Sequence, residues 1–377
     1  MRRTRRLRRP IALVSLILPA LALAGCPDGS GGGALGSSEP PTYGWQGGPP
    51  RTLAEWTGEL QSEDPAVRRQ ALGALRAWGH ADGDAGGDAL EAAVPGHEAA
   101  REALANALDS PWPDVQAGAT EFAARPQLIQ LLDATRDPSV VAAAAFRLGW
   151  LNAEASPEEI AGAVTALAGH LQRLDPTDPT QHEALSSVLF AASRFGASEP
   201  IVRRALELVD HPRLGSGALD VLPHATGPLR EEALVTLVRV CQDPKQSDRR
   251  LAALAGLSDL DPSDPRAVSM FVACLSGPER DAQFARVAVR GLARARHPAA
   301  AAPLLAELGQ EYRPRSLARN DEEQFHTERA RTAALLGGMG SAAREALPGL
   351  AKLLEAERNP VVREAIERAI QGIERGD

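Results

Sequence analysis

The chain has 377 residues, 41 basic against 49 acidic side chains, a formal net charge of −8, and only 4% aromatics. An acidic balance excludes nucleic acid as an expected partner, because phosphate recognition rests on clustered positive charge. Abundant Ala and Leu with few aromatics suit packed helices better than sheets. Three cysteines are too few for a disulfide framework.

The first ten residues, MRRTRRLRRP, carry six arginines and no acid, and run into the apolar stretch Ile11 to Leu23, interrupted only by Ser15 and Pro19. This is the layout of a secretory signal, and at about thirteen residues the apolar part is too short to span a bilayer. Residues 1–25 are therefore expected to be removed. Leu23, Ala24, Gly25 and Cys26 then resemble the bacterial lipobox, against the alternative of an ordinary cysteine behind an ordinary signal. The resemblance implies that Cys26 carries a diacylglyceryl group and palmitate-type chains, an anchor that two or more chains make firm. Pro27 lacks the aspartate that retains lipoproteins in the inner membrane of some Gram-negative bacteria, so the periplasmic face of the outer membrane is the expected location. Removing the signal takes away six of the 41 basic residues, and 35 against 49 leaves the mature chain at −14.

Residues 26–50 are mostly Gly, Ser and Pro and read as a disordered tether, with a root-mean-square reach of about 25 to 30 Å. From residue 51 to 377 an apolar repeat dominates. In DPAVRRQALGALRAW, from Asp64 and Pro65, the residues Val67, Ala71, Ala74, Leu75 and Trp78 fall on one helix face. NPVVREAIERAIQGI, from Asn359 and Pro360, repeats the spacing with Val362, Ile366, Ala369, Ile370 and Ile373, and Arg68 matches Arg363. A third copy from Asp137 keeps Val140, Ala144 and Leu148 but has Val141 in place of the arginine. The opening Asp or Asn caps free backbone amides, and proline fits the first helical position.

Partner helices are predicted over Thr52 to Gln61, Pro126 to Thr135 and Arg344 to Ala356. Further pairs follow as Glu158 to Leu174 with His182 to Arg194, Ile201 to Val209, Leu229 to Cys241 with Arg249 to Leu257, Arg266 to Leu275 with Ala282 to Ala295, and Ala299 to Leu308 with Thr327 to Leu336. Between Ala197 and Thr226 the pattern degenerates, and Gly215-Ser216-Gly217 reads as a turn.

Such recurrence marks an all-α solenoid of about eight to nine helix pairs. Ala346-Leu347-Pro348-Gly349-Leu350 followed by Asn359 to Arg363 resembles the HEAT-repeat family, and Ala301-Ala302-Pro303-Leu304-Leu305 is similar one repeat earlier. The resemblance implies a ladder of hydrogen bonds between neighbouring repeats, giving Asp64, Arg68 and Arg363 a structural role and a weak rung at Val141. It also implies a groove lined by the second helices.

Candidate chemistry is thin. No two of the eight histidines stand three or four apart, so His-based zinc catalysis is not expected, and no Walker, HExxH or GxSxG motif occurs. Asp82, Asp84 and Asp88 miss the ligand pattern of a calcium loop and read as a solvated loop. The doublets DPTDP (Asp175 to Pro179) and DPSDP (Asp261 to Pro265) read as helix caps. Cys241 and Cys274 read as free thiols. The insertion Glu311 to Phe325, with Arg313, Arg315 and Arg319, is either a solvated loop or a recognition surface.

These readings assign no catalytic residue, cofactor or metal. They point to a lipid-anchored envelope scaffold that binds a protein partner and is not an enzyme. The alternatives are an enzyme on a groove-bound ligand, similar to HEAT-like bilin lyases, and a purely structural envelope protein.

Overall fold

The computed structural model describes residues 52–79, 97–152, 155–243, 247–276, 282–310 and 321–376. The signal segment, Leu23, Ala24, Gly25, Cys26 and the tether lie outside them, as do Asp82, Asp84, Asp88, Arg313, Arg315 and Arg319. All described residues belong to the second of two compact units, Thr42–Asp377.

Among them are eighteen α-helices and no strand, arranged as nine consecutive pairs. These are α1 (Leu53–Glu59) with α2 (Pro65–Gly79), α3 (His97–Asn106) with α4 (Pro113–Ala119), and α5 (Arg125–Ala134) with α6 (Pro138–Trp150). Next come α7 (Pro157–Arg173) with α8 (His182–Phe195), α9 (Glu199–Leu208) with α10 (Gly215–Val221), and α11 (Pro228–Cys241) with α12 (Ser247–Leu260). The last three are α13 (Pro265–Ser276) with α14 (Ala282–Arg294), α15 (Ala301–Leu308) with α16 (Asp321–Gly338), and α17 (Leu347–Ala356) with α18 (Pro360–Arg375). The chain is an α-solenoid of HEAT-like pairs.

The starts form for the reasons the sequence offers. Asp137 Oδ1 accepts from the amides of Ser139 at 2.9 Å and Val140 at 3.4 Å, and Asn359 Oδ1 accepts from those of Val361 at 3.0 Å and Val362 at 3.2 Å. Each cap of this kind is worth about 1 kcal/mol. Asp175 and Asp178 accept from Thr177 and Thr180, and Asp264 from Arg266, all through backbone amides at turns. Those bonds hold the three carboxyls below the ordinary aspartate range, with the Thr180 hydroxyl the larger cause at Asp178 and the Arg266 side chain the larger at Asp264.

The helices bury their apolar faces against partners and neighbouring pairs, so one continuous core runs from Trp56 to Ile373. No pair closes a core alone, and stability comes from stacking. The second helices form an unbroken series from α6 through α8, α10, α12, α14 and α16 to α18. They contact one another more extensively than the first helices do.

Arginines pin many of the junctions. Arg68 is 6% exposed, lies 3.0 Å from Asp114 of α4, donates to the Ser62 and Glu63 carbonyls and stacks 4.2 Å from the Trp112 ring. Its acidic partner thus comes from the next pair, while Asp64 accepts from the Ala66 amide at 2.8 Å and caps its own helix. Arg363 reaches only Leu354 O and Glu367, both at 3.4 Å and both within its own pair, because α18 has no following repeat among the described residues. At the Val141 pair the link is made by Arg125, which donates to Leu151 O at 2.8 Å and to Glu159 of α7 at 2.7 Å. Further along, Arg239 meets Asp210, Arg266 meets Glu231, Arg294 meets Asp259, and Arg329 meets Glu357 at 2.6 Å.

Three expectations need correction. Residues Ala197 to Thr226 are a regular pair, and Gly215 opens α10 rather than making a turn. A Cβ there would stand 2.3 Å from Val209 O and 2.9 Å from the Arg249 guanidinium carbon, so glycine is required for the helix to start that close to its neighbours. No predicted helix covers residues 97–122, which hold α3 and α4. Asp321 to Phe325, read as loop, form the first turns of α16, where acidic residues suit a helix N-terminus.

Candidate functional site on the second-helix layer

Among the described residues burial leaves few large apolar side chains in the open: Phe146, Trp150, Val235 and Val361. Two of these four are neighbours. Phe146 is 48% and Trp150 45% exposed, and both stand on the outer stripe of α6. Phe190 of α8 completes a mutually packed trio, its ring centroid 5.6 Å from Phe146 and 5.8 Å from Trp150, with Phe146 and Trp150 6.1 Å apart, edge to face. Separations of this order are the favourable ones for aromatic pairs.

The register of the stack creates the trio. Phe146 follows Pro138, the first residue of α6, by eight positions, and Phe190 follows His182, the first of α8, by eight. Trp150 and Arg194 come four later on the same faces. A Cβ on Gly149 would lie 2.6 Å from Cε1 of Phe190, so glycine makes the space in which the Phe190 ring lies across α6.

Charge is arranged around the rings. The Arg194 guanidinium sits 5.5 Å from the Phe190 centroid, a cation–π distance. Arg147, beside Phe146, is half-buried, and its Nε is shielded from solvent without an acceptor. Asp220 of α10, an exposed residue, feels the charge of Arg194, and desolvation by the surrounding protein pushes its pKa up to about 6 against that pull.

Two histidines separated in sequence also meet: the rings of His182 and His211 stand 4.9 Å apart, edge to face. His182 Nε2 lies 2.8 Å from Pro176 O and donates to it, and its Nδ1 is buried without a partner, while His211 Nδ1 accepts from the Leu214 amide at 3.2 Å. Among the described residues no group of three His, Cys, Asp or Glu is placed to hold a metal. Cys241 and Cys274 are free thiols, and burial pushes Cys241 up to about 12, far from a reactive thiolate. Among the described residues no helix is long and apolar enough to cross a membrane.

Sequence reasoning missed the aromatic trio, although a signal was there. Aligning α6 and α8 at their first residues superposes the two phenylalanines, whereas the same position holds Gly73 in α2, Arg290 in α14 and Arg368 in α18.

No family model matches the chain, and no curated protein matches it. Solved helical repeat structures do resemble it. Human deoxyhypusine hydroxylase, in complex with glycerol, is 20% identical over 86% of this chain and 96% of that one, with a TM-score of 0.28. A Kap121p mutant is 14% identical over 86% of this chain and 42% of that one, with a TM-score of 0.37. At such identities and TM-scores the likeness carries no argument about what this chain does.

Proposed function

We propose that the protein is a lipid-anchored scaffold of the bacterial cell envelope that holds a protein partner against its second-helix layer. The observation that carries the binding role is the Phe146–Trp150–Phe190 cluster. Exposed aromatic rings beside arginine are the side chains that dominate protein interfaces, and truncating one anchor typically costs 2 to 4 kcal/mol. The anchoring role rests on the arginine-rich start, the short apolar segment, and Leu23, Ala24, Gly25 and Cys26.

Crosslinking in intact cells, followed by affinity purification, tests the binding role. The wild type is expected to retain one saturable partner, and a Phe146→Ser/Trp150→Ser double variant to lose it. Equal recovery by the two proteins, or nothing above a lipidated control, contradicts the proposal. Fractionation tests the anchor: Cys26→Ser is expected to leave the membrane pellet, and a variant that still pellets with lipid contradicts it.

A further inference from the structure

The chemistry around the aromatic cluster narrows the kind of partner, on the premise that this face is where a partner binds. Three observations bear on it. Both cations at the cluster lack a matching anion: neither Arg147 nor Arg194 makes a salt bridge among the described residues, although arginines at the junctions between pairs do. Asp220, on the next helix, interacts electrostatically with Arg194 without forming a salt bridge to it. The chain as a whole is acidic, so a local pair of cations beside apolar rings is a departure from its average surface.

We infer that the face formed by α6, α8 and α10 takes an acidic protein segment bearing an aromatic or long apolar side chain. Its ring or chain rests on Phe146, Trp150 and Phe190, and its carboxylates on Arg147 and Arg194. The rest of the acidic surface repels such a segment, so specificity comes from repulsion elsewhere as well as attraction here. The Phe190 ring occupies the space that Gly149 leaves and already packs on Phe146 and Trp150, which lowers the ordering cost of association. Arginine supplies planar donors for carboxylates while still stacking on a ring, a combination lysine lacks. Asp220 opposes an acidic occupant by its own charge and sets a limit on affinity.

Fluorescence anisotropy on the full chain in detergent micelles at low salt tests this with three labelled synthetic peptides of equal length. One alternates Glu with Trp, one alternates Lys with Trp, and one alternates Glu with Ala. The Glu–Trp peptide is expected to bind roughly ten-fold tighter than either of the others. Arg194→Glu is expected to reverse the preference between the Glu–Trp and Lys–Trp peptides, Arg194→Gln to abolish it, and Asp220→Asn to tighten Glu–Trp binding. Melting curves of each variant confirm an intact array.

Equal or tighter binding of the Lys–Trp peptide overturns the inference, as does an Arg194→Glu protein with unchanged preference. The result also separates from the broader reading. If the Phe146→Ser/Trp150→Ser protein loses its cellular partner while the peptides show no charge preference, the binding face stands and the acidic assignment falls. If that protein keeps its partner, both fall.

Discussion

The α6–α8 and α16–α18 stacks are the most extensive contacts between second helices, and both depend on glycine, yet they end in opposite surfaces. Between α16 and α18 a Cβ on Gly337 would lie 2.8 Å from Ala369 Cα, and one on Gly372 would lie 2.9 Å from Gly337 O, so backbone meets backbone. Above that seam stand Glu364, Glu367 and Arg368, tied in exposed i,i+4 pairs such as Arg368–Glu364 at 3.2 Å. Between α6 and α8 the space at Gly149 is filled by the Phe190 ring, and the stripe above it is aromatic. Close stacking is a shared structural need, and what lies over the glycine decides whether the surface is a solvent face or an apolar one.

Mutations that break the first kind of seam are expected to act on stability, and those at the second on binding. The largest effect is expected at the α16 junction, where Arg329 and Glu357 are both nearly buried. Arg329→Met strands that carboxylate and is expected to cost about 3 kcal/mol in urea unfolding. Gly337→Val forces two backbones apart and is expected to cost about 2 kcal/mol. Gly149→Ala meets a ring that can swing aside, so about 1 kcal/mol is expected, with a larger loss of partner capture. Asn359→Ala removes a cap from α18 and is expected to cost about 1 kcal/mol.

The two regions should also respond oppositely to pH. Glu357 is held below the ordinary glutamate range: burial raises it, but the Asn359 amide and Arg329 outweigh burial. A depressed carboxyl stabilises above its unfolded pKa and loses that contribution as pH falls through the folded value. Glu357→Gln is therefore expected to lower the melting temperature at pH 7 and to converge with wild type in acid. Asp220 is raised to about 6, so the folded state holds its proton more tightly than the unfolded chain, and stability falls as pH rises from about 4 to about 6. Asp220→Asn is expected to raise the melting temperature at pH 7 and leave it unchanged at pH 4.

The period of the apolar residues made most of the array legible, since Val67 to Trp78 and Val362 to Ile373 follow one template, and the Asp and Asn caps mark starts. Where the template weakens, the reasons are local. Gly215 looked like a turn because glycine has no helix propensity, but tertiary crowding by Val209 O and Arg249 demands it. The link between Arg68 and Asp114 spans 46 positions, and no periodic reading pairs such residues. Phe146 and Phe190 lie 44 positions apart on different helices, and only the stacking register places the exposed Phe146 ring against the half-buried Phe190 ring.

The central claim is that the aromatic face over α6 and α8, and not the charged face over α16 and α18, holds the partner. Phe146 and Arg368 occupy equivalent positions, each eight residues into its helix. A photo-crosslinking benzoylphenylalanine placed at each in intact cells compares the faces directly. A discrete crosslinked protein from position 146 and none from position 368 is the expected result, and equal crosslinking from both, or from 368 alone, contradicts the account.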